Sequence, residues 1–322
     1  MISGTRLVLV VCCTAVGLSQ AADQPYPSSP IRLLVGFGPG GGTDVVARII
    51  APKLSDAMGQ SWVVDNRGGV GGNLASDIAV RSNPDGHTVL MAINTQLTAN
   101  PSLYKLTFNV ERDLKPITMI ALSDQMLMVH SGVPAKSVKE LVALAKQKPG
   151  GLNYSSSGAG TVDHLGAELL SRRAGISMVH VAYKGGGQAI ASLVAGETQV
   201  RVGSVTSALQ LVTSGRVRAL AIASSKRSKL LPDLPTISEA GYPEVEVDVW
   251  YAFMVRDGTP TSIIDRIRRD TVETLQLADV QASMERVGVN ALSSTPAEVT
   301  ARIRKEGAVW AGVIKDAGIR AE

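Results

Sequence analysis

Short apolar runs in this chain are followed, again and again, by a glycine-rich segment and then by residues at helical spacing. The first example is the run Ile31–Val35, which reads as a strand buried on both faces. Gly36-Phe37-Gly38-Pro39-Gly40-Gly41-Gly42-Thr43-Asp44 comes next. Val45, Val46, Ile49, Ile50, Leu54 and Met58 then mark one face of a helix over Asp44–Gln60, which Pro52 should kink by removing a backbone donor. Similar glycine segments stand at Asn66–Asn73, Ser155–Thr161 and Tyr183–Gly187. Strand, glycine turn and helix in succession specify an α/β fold with parallel sheets covered on both faces.

The rest of the chain keeps that rhythm. Strands are expected at Trp62–Val64, Thr88–Ile93, Met126–Val129, Leu152–Ser155, Met178–Val181, Gln199–Val202, Val217–Ala223 and Val247–Met254. A helix over Asn73–Arg81 ends in the turn Asn83-Pro84-Asp85-Gly86. Capping boxes are read at Ser137–Glu140, Thr236–Glu239 and Thr295–Glu298. Thr259-Pro260 and Thr295-Pro296 each place a cap residue before proline at the first helical position. Leu114–Asp124 and Pro232–Val247 are the expected passages between domains. At 322 residues, the chain suits two α/β domains.

The N-terminus reads as a secretory signal peptide: Arg6, the apolar run Leu7–Leu18, then Ser19-Gln20-Ala21, with the mature chain starting near Ala22 or Asp23. The run is shorter than the ~20 apolar residues that span a bilayer. No later stretch is long and apolar enough, so a soluble exported product is expected. Both cysteines, Cys12 and Cys13, leave with the signal, which removes disulfides, thiolate catalysis and cysteine metal sites from consideration. The histidines His87, His130, His164 and His180 show no metal-binding spacing, and no cofactor is expected. The formal charge of +4 forms no basic run and aromatics are 4%, so nucleic acid is not an expected partner.

Glycine turns let backbone N–H groups approach a ligand, and a following helix start aims further unpaired N–H groups and a partial positive charge at the same point. Such turns are anion pockets that need no charged side chain. Thr43 can add a hydroxyl; Asp44 can instead cap its helix. Gly36–Gly41 fits G-x-G-x-x-G, with Asp56 or Asp65 as a candidate ribose acid, but Pro39 stiffens that loop and export argues against a dinucleotide. Gly42 stands where a P-loop needs lysine. Ser156 and His164 are the pair an exported α/β hydrolase would use, although they share one turn and helix and no G-x-S-x-G elbow is present. His164 is either a pocket donor or a half-buried structural histidine. Arg201, inside an apolar strand, either reaches the pocket or points to solvent at a sheet edge; the edge is the plainer reading.

The set Pro30–Val35, Gly36–Asp44, Ala47-Arg48, Asn66-Arg67, Pro84-Asp85-Gly86, Asn100–Tyr104, Tyr154–Gly160, Val181–Gly185, Gly215–Ala221 and Leu231–Thr236 resembles the extracytoplasmic solute receptors of tripartite tricarboxylate transporters, the Bug receptors. Gly36, Gly38, Gly68 and Gly203-Ser204-Val205 depart from that pattern. The resemblance implies a two-lobed periplasmic binding protein of type II-like α/β architecture. Each lobe would be a mostly parallel sheet flanked by helices, with crossover strands as hinge. It divides the chain into a signal peptide (1–22), a first part of lobe 1 (23–122), lobe 2 (123–246), and a return strand with C-terminal helices completing lobe 1 (247–322). It implies a non-enzymatic "Venus flytrap" monomer in the periplasm that takes a small organic carboxylate and serves the small and large permease subunits of a transporter. The ligand residues it implies are Phe37, Gly40, Gly42, Thr43, Asp44, Asn94 and Thr95 on one lobe. On the other they are Ser156, Gly158, Thr161, His164 and Tyr183. A signalling receptor is the other role this pattern allows.

Overall fold

The computed structural model describes Met1, residues 26–183 and residues 185–320. The expected signal peptide and its cleavage site lie outside the described residues.

The chain opens with β1 (Ile31–Val35), α1 (Gly42–Met58), β2 (Trp62–Asn66), α2 (Asn73–Arg81) and β3 (Thr88–Ile93). The short helices α3 (Asn94–Thr98), α4 (Asn100–Leu103) and α5 (Val110–Asp113) lead into β4 (Leu114–His130). Next come α6 (Val138–Gln147), β5 (Asn153–Ser156), α7 (Val162–Ala174), β6 (Val179–Ala182), α8 (Gly186–Ala195), β7 (Val200–Ser204), α9 (Val205–Thr213) and β8 (Val217–Ile222). The chain closes with β9 (Asp248–Arg256), α10 (Thr261–Leu275), α11 (Ala278–Arg286), β10 (Asn290–Ala291) and α12 (Pro296–Asp316).

The strands join in the order β2-β1-β3-β9-β4-β7-β5-β6, with β8 and β10 also on β4. Two parallel groups result, β2-β1-β3 and β7-β5-β6. The antiparallel strands β9 and β4 join them. β4 is 17 residues long and serves both sides: Leu114–Asp124 pairs with β9, and Gln125–Val129 pairs with β7. The expected passage at Leu114–Asp124 is the first part of this strand. Its near-continuous apolar sequence is buried on both faces and merges with the strand expected at Met126–Val129.

The same physics accounts for β1. Ile31, Leu33 and Val35 enter one apolar core with Val46, Ile50 and Leu54 of α1, while Leu34 enters another with Ala75 and Ala79 of α2. Successive side chains point to opposite faces, so a sheet covered on both sides needs apolar residues on each face, while the half-buried Arg32 pairs with Asp65 of β2. On β4 the alternation continues, with Leu127 and Val129 in one cluster and Met126 and Met128 in another.

Pro52 lies inside α1 as expected, and two other local expectations take a different form. The Thr236 box forms both of its hydrogen bonds with Glu239, at 2.8 and 3.0 Å, but closes a turn rather than opening a helix. Thr259 does not cap: its hydroxyl donates back to the Arg256 carbonyl at 2.8 Å and α10 starts after Pro260. The Thr295–Glu298 box caps α12 as its sequence predicts.

Candidate ligand-binding site

The carboxyl ends of β1, β3, β5 and β7 open onto a cleft of 790 Å³ between the two parallel groups. Ligands bind in open α/β sheets at such ends, because there the turns and helix starts converge. Ser123 and Gln125 of β4 line it where that strand passes from one group to the other.

On the first side, the turn after β1 is held from within. Asp44 is buried and accepts from Gly40 N at 2.9 Å, Arg48 Nε at 2.9 Å and Asn66 Nδ2 at 3.0 Å. These bonds, Arg48 foremost, hold its carboxyl below the usual aspartate range. The Asn66 amide also donates to Phe37 O at 3.0 Å, which ties the Asn66–Asn73 segment to the turn after β1. The close packing of these two segments requires glycine: a Cβ on Gly36 would lie 2.9 Å from Gly72 Cα and 2.8 Å from the Gln96 side chain, and one on Gly72, at φ +89°, would lie 2.6 Å from Gln96. Gln96 is buried and donates to Gly72 O at 2.9 Å.

Within this frame the start of α1 faces the cleft through Gly42. The first N–H groups of a helix have no intrahelical acceptor, so Gly42, Thr43 and Asp44 present donors there. The Tyr251 hydroxyl of β9 lies 3.3 Å from where a Gly42 Cβ would stand. Tyr251 is 5% exposed and lines the cleft, and burial pushes its pKa up to about 12, so the hydroxyl is a neutral donor at ordinary pH.

On the second side Asp163 organises the serine-rich turn. It accepts from Ser157 N at 2.7 Å, Ser157 Oγ at 2.6 Å, His164 N at 3.2 Å and the Thr161 hydroxyl. Arg201 Nη2 completes the arrangement, 2.9 Å from the Asp163 carboxylate, with both side chains 7% exposed. Beneath this turn the rings of His164 and His180 stack at 3.7 Å. Gly160 N donates to His164 Nδ1 at 3.0 Å. Burial, then the neighbouring His180, lowers the His164 pKa to about 4 despite the opposing pull of Asp163.

A second cavity, of 580 Å³, lies against α12 and is lined by Asp248 of β9 and Asn94 of α3. Val249 and Tyr251 face the first cleft, whereas Asp248 lines the second; Thr95 and Asn94 divide in the same way. Its charges are largely paired with one another. Arg302 lies 2.6 Å from both Asp248 and Glu306, Arg173 pairs with Glu244, and Lys305 lies 3.9 Å from Glu246. Of these two cavities, the 790 Å³ cleft is the one that gathers the glycine turns.

The sequence profile described as "Tripartite tricarboxylate transporter family receptor" matches residues 46–319. The chain belongs to this receptor family. Protein BugT of Bordetella pertussis is 34% identical over 321 residues, covering 98% of each chain. A structure of an R. palustris protein with adipate superposes with a TM-score of 0.79 at 31% identity, covering 92% of this chain and 99% of the other. MatC from Rhodopseudomonas palustris with bound malate superposes with a TM-score of 0.76 at 27% identity, covering 90% and 100%. The protein is thus a solute-binding receptor of a class that works in the periplasm, and its α/β architecture is that of the periplasmic binding proteins.

Of the residues singled out in the receptor's sequence, Phe37, Gly40, Gly42, Thr95 and Thr161 line the cleft. Thr43 and Asp44 are buried at the start of α1 just behind it. Asn94 turns away, donating to Asp248 O at 2.8 Å. Ser156 is fully buried; its hydroxyl lies 2.6 Å from His180 Nε2 and 3.1 Å from Gly158 O. A Cβ on Gly158, at φ +137°, would lie 3.8 Å from the Tyr183 carbonyl oxygen, and the Tyr183 hydroxyl donates to Glu197 at 3.4 Å. The hydrolase pair does not form: Ser156 meets His180, while His164 Nδ1 is occupied by Gly160 N.

Among the cleft residues not assigned there from sequence are Tyr251 and Arg201. Tyr251 sits inside the strand expected at Val247–Met254, which assigned it no separate role. Arg201 is corrected from the edge reading: β7 lies between β4 and β5, so its side chain has no solvent edge and turns into the cleft. The departure at Gly203 was the available signal. A Cβ there would lie 2.9 Å from Arg201 Nε, so the missing side chain makes the room that Arg201 occupies.

Proposed function

We propose that the receptor captures a small organic carboxylate at the start of α1, using the N–H groups of Gly42, Thr43 and Asp44 and the Tyr251 hydroxyl. The observation that carries this reading is the neutral, buried Tyr251 hydroxyl beside a helix start that opens into the cleft. An anion there gains from both the dipole and directed donors. The relatives solved with adipate and malate support the same class of ligand. Ser157, Thr161 and Arg201 approach from the other wall; Ser156, Gly158, His164 and Tyr183 shape that wall from behind.

In this reading lobe 1 consists of 23–122 and 247–322, lobe 2 of 123–246, and β4 and β9 are the hinge. Ligand contacts made by both lobes bias the molecule toward closure. The mature chain begins near Ala22 or Asp23, acts as a periplasmic monomer without catalysis, and hands its ligand to the small and large permease subunits. The test is a thermal-shift screen of mono-, di- and tricarboxylic acids on the mature protein. A ligand at a hundred times its dissociation constant adds ~2.7 kcal/mol of stability. Absence of any response to organic acids, with a response to sugars or amines, overturns the reading.

A further inference from the structure

The cleft has a second donor-rich pole, opposite the start of α1. Arg201 and Asp163 are the charged side chains among its described lining residues. They are not equivalent. Asp163 is saturated, accepting from Ser157, Thr161, His164 and Arg201. Arg201 is not: Nη2 faces Asp163 and Nη1 donates to Ser155 O at 3.4 Å, and a guanidinium has more N–H donors than two partners use.

The start of α8 adds to this pole. Gly186 and Gly187 line the cleft, and a Cβ on Gly186 would lie 3.6 Å from Arg201 Nη2 and 3.6 Å from Ser157 Oγ. No side-chain cap is seen at Gly185 among the described residues, and Gly186 and Gly187 open the first turn of α8 at the cleft. α7 starts nearby, but Asp163 in its first turn already supplies negative charge. Gly203 leaves the space in which Arg201 lies. Spare donors with a buried cation call for an acceptor-rich, anionic group.

We infer that Arg201 is a specificity-determining residue, which with the α8 start selects ligands bearing a second acidic group at the end remote from α1. This rests on the carboxylate-receptor reading and sharpens it: a monoacid fills one pole and leaves the other, whereas a diacid of matching length fills both.

The experiment is isothermal titration of the mature protein with straight-chain dicarboxylates of four to eight carbons, each beside its monomethyl ester. At least one diacid should bind ten- to a hundredfold more tightly than its ester, the effect of about one charge-assisted hydrogen bond. Arg201→Gln should weaken that diacid far more than its ester and so close the gap between them. Because Arg201→Gln strands a buried carboxylate, the double variant Asp163→Asn/Arg201→Gln is measured too, and should show the same loss of discrimination. Equal binding of diacid and ester by the wild type, or discrimination that persists in the folded variants, overturns the inference while the receptor reading stands. Failure of every acid and ester to bind the wild type overturns both.

Discussion

Replacing Tyr251 with phenylalanine separates ligand binding from folding. The tyrosine is 5% exposed, its ring belongs to the core formed with Phe253, Ile50 and Leu54, and burial alone shifts its hydroxyl. Tyr251→Phe keeps that ring and deletes the hydroxyl. The free protein loses no internal hydrogen bond among the described residues, and the desolvation of the oxygen disappears. The unfolding free energy should therefore equal the wild-type value or exceed it by up to ~1 kcal/mol. Bound carboxylate loses one charge-assisted donor, a net effect of about 1.5–3 kcal/mol, or roughly ten- to a hundredfold in Kd. With a pKa near 12 the hydroxyl stays protonated between pH 6 and 8, so the loss should be the same at both. Calorimetric titration with the tightest acid from the screen, beside urea unfolding of both proteins, measures the two effects. An affinity within twofold of wild type would remove Tyr251 from the site. A weaker affinity accompanied by an equal loss of stability would show that the hydroxyl supports the fold instead.

Two further predictions concern the surroundings of the cleft. Arg302 neutralises Asp248 and Glu306 behind β9, and burial raises the pKa of both acids. Arg302→Met should cost about 3–5 kcal/mol at pH 7 by stranding these carboxylates. Groups with raised folded-state pKa contribute stability at low pH and lose it as pH rises, so the deficit should shrink from pH 7 to pH 5; a deficit independent of pH in urea unfolding would refute this account. His164 behaves in the opposite sense. Its folded pKa near 4 lies below the ordinary 6.5, so its contribution is present above 6.5 and is lost as pH falls toward 4, by about 3 kcal/mol in all. His164→Gln should flatten that part of the stability–pH curve, and an unchanged slope between pH 6.5 and 4.5 would exclude the histidine as its source.

The strands and glycine turns were legible because each is a local consequence of local residues. A strand buried on both faces is apolar where it meets the core, as Ile31, Leu33, Leu34 and Val35 are, and a backbone that passes close to another must lack a Cβ, as at Gly36. Helix caps were less secure. Ser137 and Thr295 cap their helices, but the bonds at Thr236 form equally well around a single turn, and Thr259 finds a nearer acceptor in Arg256. The side-chain hydrogen bond of a cap is the same in either case, and packing decides whether a helix or a lone turn continues from it.

The sequence by itself determined an α/β chain with glycine turns at strand ends, because backbone freedom and hydrophobic burial act over a few residues, while the receptor role came from its resemblance to a family. Only the tertiary structure decided which polar groups share a cleft. Tyr251 meets Gly42 across more than two hundred positions, and Arg201 reaches Asp163 because β7 lies inside the sheet rather than at its edge. Strand order sets these distances, and strand order comes from the packing of whole layers, which no single segment contains.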